Sequence, residues 1–332
     1  MGNAQNFTNI QLPWPEWSIV NILGSGTFGK VYEIQKLENG RTQKAALKVL
    51  KIPMDISEVY SLRAEGLNDQ QINDYFYEIA QRQENEIILM EELQTATNIV
   101  SIKDSKILRQ ESGIGFQQYI MMELLTSLDQ HCYGSNTSRV LTVEDVIKIG
   151  SNICDALTAC EKSDIIHRDI KPSNIFVSKY GEYKLGDFGV SRHVGQTQNN
   201  MSVQGTINYM APEIFRNERH YGNTVDIYSL GLVLYRLLNL GRLPFVRPFG
   251  TAPSYEENSQ AFTQRMQGKD PLPDPALGGP ALANVLRKAC SYRPEDRYQH
   301  AENMKKDLLR CSLSMPQEEL SKEIIPKKPT TS

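Results

Sequence analysis

From Ile166 to Asn174 the chain reads Ile-His-Arg-Asp-Ile-Lys-Pro-Ser-Asn, and after twelve further residues comes Asp187-Phe188-Gly189. Five of these nine side chains, His167, Arg168, Asp169, Lys171 and Asn174, can hold a proton, a phosphate or a metal ion. A polar turn between two strands has no need of such groups in this order. The segment therefore packs groups able to hold a proton, a phosphate or a metal ion into nine positions, with a metal-type carboxylate close behind.

At 332 residues the chain is too long for one ordinary core and calls for about two domains. Its 40% hydrophobic and 23% charged residues are those of a soluble globular protein. A net charge of −3 argues against a global basic field for nucleic acid or an anionic membrane. The five cysteines form no C-x-x-C pair and are odd in number, which speaks for isolated thiols in a reducing cytoplasm. No stretch is apolar for long enough to span a membrane. Met1 to Trp17 lacks the basic and apolar regions of a signal peptide. Met1-Gly2 hints at myristoylation only weakly, because Asn6 stands where Ser or Thr is wanted.

Along the chain, Ser18–Leu23, Val31–Leu37 and Lys44–Leu50 are expected to be antiparallel strands, the last two joined at Asn39-Gly40. Ser57–Glu65 is expected to be a short helix with Ser57 as N-cap and Gly66 just past its end. Asn68-Asp69-Gln70-Gln71 has the form of a capping box. It opens a long helix whose apolar stripe is Ile72, Tyr75, Phe76, Ile79, Ile87, Met90 and Leu93. Strands near Ile99–Leu108 and Gln117–Glu123 complete five. After about Thr126 helices dominate: Thr142 caps one with Val146, Ile149, Ile153 and Leu157 on a face. Val225–Asn239 is apolar nearly all round and belongs at a domain centre. Ala281–Cys290 and Ala301–Leu309 are further helices. Ser312–Ser332, rich in Pro, Lys, Glu and Ser, is expected to be a disordered linker.

Gly24-Ser25-Gly26-Thr27-Phe28-Gly29-Lys30-Val31 is a G-x-G-x-x-G-x-V loop, in which backbone N–H groups can approach phosphates with no Cβ in the way. Dinucleotide-binding folds share the glycines, but there a helix follows, whereas Val31 to Ile34 continues as a strand. Together with H-R-D-x-x-x-x-N, D-F-G, Ala45-Ala46-Leu47-Lys48 and Gly205-Thr206-Ile207-Asn208-Tyr209-Met210-Ala211-Pro212-Glu213, the chain resembles the protein kinases. Lys171, two residues after Asp169, resembles the Ser/Thr class. The match runs from Trp17 to about Leu309 with every motif in family order. Ile120 to Leu125 and Asp226 to Gly231 resemble the bacterial, eukaryotic-like Ser/Thr kinases.

That resemblance implies an α+β, two-lobed kinase fold: a small N-lobe of antiparallel sheet plus helix, and a larger, mainly helical C-lobe. The expected boundaries are an extension at 1–16, an N-lobe at 17–123, a hinge at about 123–126, a C-lobe at 127–311 and a tail at 312–332. It implies ATP and Mg²⁺, with Mn²⁺ as a substitute, and transfer of the γ-phosphate to a Ser or Thr of a protein substrate. Asp169 would be the base, Lys171 would neutralise the γ-phosphate, and Asn174 and Asp187 would hold the metal. Lys48 would pair the α- and β-phosphates and a glutamate of the long helix, with Glu86 favoured over Glu84, Glu91 and Glu92. Leu23, Gly24, Ser25, Gly26, Gly29, Val31, Ala46, Met122, Glu123, Leu125 and Phe176 would surround the nucleotide. His167 would pack near Phe188, and Arg168 would receive an activation loop phosphorylated at Thr197 or Ser202. Thr206 would bridge Asp169 and Lys171, Glu213 would pair with Arg297, and Asp226 would hold the catalytic loop's backbone. Lys48 and Glu86 stand about twice as far apart as is usual in the family. The extra residues, Pro53 to about Ala80, are expected to form a regulatory or dimer surface or simply an added helix. The setting implied is cytoplasmic, in many such proteins as part of a longer membrane-attached chain. A non-catalytic scaffold would lack Lys48, Asp169, Asn174 or Asp187, and a small-molecule phosphotransferase would lack the Ala-Pro-Glu segment. This sequence has them all.

Overall fold

Residues alternating between apolar and polar build the first part of the chain into strands, because period-two side chains let one face of a sheet bury while the other carries chemistry. The computed structural model describes residues 12–26, 29–93, 95–110, 113–133, 140–188, 192–193, 207–218 and 221–324. These fall into two compact units, one holding the chain to Gln94 plus Val100–Leu125, the other Thr95–Ile99 plus Thr126 onward.

In the first unit, β1 (Ser18–Gly26), β2 (Gly29–Glu38), β3 (Arg41–Ile52), β4 (Ile102–Arg109) and β5 (Phe116–Met122) form an antiparallel sheet ordered β1-β2-β3-β5-β4. One face packs Tyr32, Ile34, Ala45, Leu47, Tyr119 and Met121 under Leu12, Trp14 and Trp17. Trp14 Nε1 donates to Asp104 at 2.7 Å, and Lys106 lies over the Trp14 ring. Leu12 and Trp14, in the expected extension, thus pack into the core of this unit. Burying an indole stabilises only if its N–H finds an acceptor, and Asp104 is that acceptor.

Between β3 and β4 come α1 (Ile56–Ala64) and α2 (Asp69–Glu92). Asp55, not Ser57, caps α1: its carboxylate accepts the Ser57 N–H at 2.9 Å. Asn68 and Gln71 make the expected reciprocal cap on α2. Val59, Ile72, Phe76 and Ala80 bury against Ile52 and Phe116, and Asn73 ties α2 to Gly113 and Gly115 at the β4–β5 turn. Tyr75 departs from the expected apolar stripe and is exposed, as are Tyr60 and Tyr77.

The second unit begins with β6 (Thr126–Ser127) and α3 (Leu128–Tyr133), followed by β7 (Leu141–Thr142), α4 (Val143–Lys162) and β8 (Ile165–Ile166). Then come β9 (Ile175–Val177), β10 (Tyr183–Leu185), β11 (Arg192–His193), α5 (Pro212–Phe215), α6 (Thr224–Leu238), α7 (Tyr255–Gln267), α8 (Gly279–Ala289), α9 (Ala301–Ser314), α10 (Gln317–Leu320) and β12 (Glu323–Ile324). Thr142 and Asp145 cap α4 reciprocally. Every residue of α6 except Arg236 is buried, as its all-apolar surface requires. At Gly231 an added Cβ would come within 2.6 Å of Cys290 Sγ and 3.0 Å of Ala289, so α6 and α8 approach where no side chain intervenes.

Two expectations change here. Ile99 does not start β4; it bridges Leu185 in the helical unit. The segment after Ser312 is ordered through Ile324: Leu320 and Ile324 are buried, and β12 pairs with β7. Its polar composition hid two apolar anchors, enough to dock a short strand. No helix among the described residues is long and apolar enough to cross a membrane.

Candidate active site

Strand register in the sheet unit decides which side chains share a face. Val31 stands opposite both Gly24 and Lys48, and Ala46 stands opposite Met122. Val31, Ala46, Lys48 and Met122 therefore lie on one face, the one turned away from Trp14 and Trp17. Gly29 has φ +127°, and any Cβ there would run into the Val49 carbonyl. Only glycine lets β2 leave the loop so close to β3. Of the loop residues, Thr27 and Phe28, and the side chains of Ser25 and Gly26, lie outside those described. The Glu86 side chain also lies outside them, while its rivals Glu84, Glu91 and Glu92 are all exposed. Glu123 accepts from the Ser101 N–H at 2.8 Å and from its hydroxyl at 3.1 Å, which fixes the chain at the end of β5. Leu23 and Leu125 are half-buried in this unit.

In the helical unit the segment after β8 is held in a shape it would not choose. Arg168 and Asp187 both have left-handed backbones, with φ of 67° and 63°. Such conformations cost non-glycine residues of order 1–3 kcal/mol and persist only where the surroundings enforce them. Asp226, at the start of α6, supplies the enforcement: its two oxygens accept the N–H groups of His167 at 2.7 Å and Arg168 at 2.8 Å. Burial pushes the Asp226 carboxyl up, against the pull of these two donors.

His167 is wholly buried. Its Nδ1 accepts the Asp169 N–H at 3.3 Å, so Nε2 carries the proton and donates to Gly186 O at 3.1 Å. Its ring meets Phe188 edge-on at 4.6 Å. The imidazole thus joins the loops bearing Asp169 and Asp187. Gly186 N–H donates to Asn174 O at 3.0 Å and makes a second tie. Asp169 is 9% exposed, and its two oxygens differ. Oδ2 accepts from Lys171 Nζ at 2.7 Å and Asn174 Nδ2 at 3.0 Å, whereas buried Oδ1 has no partner among the described residues. Asn174 Nδ2 also donates to Asp169 O at 2.8 Å, which leaves the amide oxygen for another ligand. Phe176 lies on β9, half-buried, opposite Ser127 and Lys184.

Glu213 and Arg297 form a bidentate pair at 2.6 and 2.8 Å with side chains 1% and 0% exposed, as the sequence led us to expect. Thr197, Ser202 and Thr206 lie outside the described residues. Two neighbours had no motif to announce them. Tyr221 OH accepts from Arg168 at 3.4 Å, and Asp129, at the start of α3, feels the charges of Arg236 and Lys171. Burial nonetheless raises the Asp129 carboxyl. Contacts across such sequence distances leave no local pattern.

The family model for the protein kinase domain matches residues 17–309. The serine/threonine-protein kinase PknB of Mycolicibacterium smegmatis is 33% identical over 207 residues, 60% of this chain and 31% of that protein. PknB of Mycobacterium tuberculosis is 32% identical over 215 residues, 63% of this chain and 32% of that protein. A probable PknB of Lactococcus lactis is 31% identical over 295 residues, 88% of this chain and 41% of that protein. The chain thus spans well under half the length of these relatives.

Proposed function

Because the chain belongs to the protein kinase family, we propose that it transfers the γ-phosphate of ATP to Ser and Thr hydroxyls of proteins, with Asp169 as the base. The observation that supports this reading best is the asymmetry of Asp169: Oδ2 is held by Lys171 and Asn174, while Oδ1 has no partner among the described residues. A carboxylate fixed by one oxygen presents the other to an incoming hydroxyl and accepts its proton as the oxygen attacks phosphorus. Lys171, salt-bridged to Asp169, brings a positive charge to where the transferred group passes.

The donor set fits Mg²⁺. Asn174 keeps its amide oxygen, and Asp187 is held on a strained backbone tied to Asn174 through Gly186. Among the described residues no cluster of three His, Cys, Asp or Glu could hold a metal. Mg²⁺ takes one or two protein oxygens and completes its shell with phosphates and water. Bound there, it would neutralise phosphate charge. Lys48 and the face it shares with Val31, Ala46 and Met122 would orient the nucleotide, Glu86 would position Lys48, and Gly29 would leave room at the phosphates. Glu123 and Leu125 would flank the adenine edge from the sheet unit, and Phe176 would contribute from the helical unit.

Further parts of the reading concern control. Autophosphorylation at Thr197 or Ser202 would give Arg168 a phosphate partner. Exposed Met54, Ile56, Tyr60, Tyr75 and Tyr77 support a homodimer surface on α1 and α2. The activity would be cytoplasmic. Mg-ATP turnover with a Ser/Thr peptide, read by mass spectrometry for the wild type and Asp169→Asn, tests the whole. The proposal requires phosphoserine or phosphothreonine from the wild type and a loss of roughly 10²–10⁴ in the variant. Near-normal turnover by Asp169→Asn would remove Asp169 from the base role.

A further inference from the structure

A guanidinium keeps its charge at any physiological pH, so burying one without an anion is costly. Arg265 on α7 is 6% exposed. Among the described residues its one hydrogen bond goes to Asn208 O at 2.7 Å and its Nε has no partner, while its Cζ lies 5.4 Å from the centre of the Phe262 ring. Nearby, Arg242 donates only to Thr251 O at 3.1 Å. No carboxylate among the described residues pairs with either.

Both arginines line an open groove of about 1420 Å³ on the helical unit, bounded by Asn208 and Tyr209, the turns from Leu240 to Pro253, and α7. Arg236 is a third guanidinium on its wall, and Asp129 is the one carboxylate there among the described residues. Asp129 sits on α3, which packs against the Pro172–Asn174 turn of the catalytic loop, so one end of the groove neighbours that loop. Tyr255, 89% exposed, stands on the wall, and exposed Phe249 precedes its Gly250. Arginine and aromatic side chains around an open hollow are the composition of a protein-binding hot spot. Residues 189–206, which lead into Ile207, contain no Asp or Glu, so that stretch cannot supply the missing carboxylate.

We propose that this groove seats an acidic, Asp- and Glu-rich segment of the protein substrate, with Arg265 and Arg242 as its anion contacts. The idea rests on the protein-phosphorylating activity proposed above, and its test has an arm that needs no catalysis. A fluorescein-labelled, glutamate-rich peptide without Ser, Thr or Tyr is titrated with the full chain by anisotropy, beside its Gln-for-Glu counterpart and a phosphoserine counterpart. The acidic peptide should bind roughly tenfold or more tightly than the glutamine one and weaken with salt. Arg242→Glu and Arg265→Gln should each abolish that difference. In the second arm, matched Ser peptides with and without the acidic segment are phosphorylated, and the ratio of their kcat/KM should fall to about one in both variants.

Equal binding of the acidic and glutamine peptides, or an undiminished preference in Arg242→Glu, would overturn the proposal. So would a tenfold preference for the phosphoserine peptide, which would make a phosphorylated segment the occupant. Should Arg265→Gln fail to fold, Arg242→Glu, on a surface loop, decides alone. Peptide binding without any phosphotransfer would sink the kinase reading and leave the groove's acidic specificity standing.

Discussion

Removing the Glu213 carboxylate while keeping its shape, as in Glu213→Gln, should destabilise the helical unit severely. The pair is fully buried and bidentate, and Arg297 also donates to Ser291 O, Thr224 O and Tyr292 O. The guanidinium cannot lose its proton, so the variant leaves a cation inside the protein with carbonyl dipoles as its main compensation. Breaking a buried pair from one side costs about 3–5 kcal/mol. For a unit of this size each kcal/mol lowers Tm by about 2–4 °C, so scanning calorimetry should show a fall of roughly 6–20 °C. Arg297→Met should cost at least as much, because three carbonyls lose donors as well, each worth about 1 kcal/mol. The double variant should cost clearly less than the two singles together, since neither charge is then left alone. A fall of under about 2 °C in Glu213→Gln, or strict additivity in the double variant, would refute the reasoning.

Asp226→Ala should lower Tm by several degrees and turnover far more, because the N–H groups of His167 and Arg168 lose their acceptor where the backbone is strained. Normal kinetics would show that Arg168 keeps φ near 67° unaided. Gly29→Ala should cost several kcal/mol, combining a left-handed φ with a clash against Val49, and urea unfolding would report it. Burial pushes the Cys132 and Cys290 thiols up to about 12, so at pH 8 iodoacetamide should label the native protein slowly and the unfolded chain fast. The same shift makes stability fall with alkali, because the unfolded thiols ionise first. Their contribution is intact below pH 9 and declines toward pH 12. Truncation after Met315 should lower Tm, as Leu320 and Ile324 leave the core and Val143 N–H loses Lys322 O. An unchanged melt would mean that β12 contributes nothing.

Much of the candidate site's Ile166–Asn174 loop was legible in the sequence, because its residues are close in the chain. Asp169, Lys171 and Asn174 fall within six positions, and the hydrogen bonds that join them are as local as a turn. The strands around Lys48, the reciprocal caps at Asn68 and Thr142, and the burial of α6 follow from period, capping chemistry and composition. Wherever two stretches of similar local preference competed, tertiary contacts chose between them. Tyr75 turned to solvent while Phe76 buried, and Ile99 paired with Leu185. Leu12, Trp14, Leu320 and Ile324 were drawn into cores from segments that looked like tails. The strained backbone at Arg168 and Asp187 has no signature in the letters at all. It exists because Asp226, far along the chain, holds the backbone at Arg168 and the His167 ring ties to Gly186 beside Asp187, by hydrogen bonds that form only once the helical unit has packed. The same holds for Arg265, whose buried charge could be recognised only when α7 had folded against Asn208 and left it without a carboxylate.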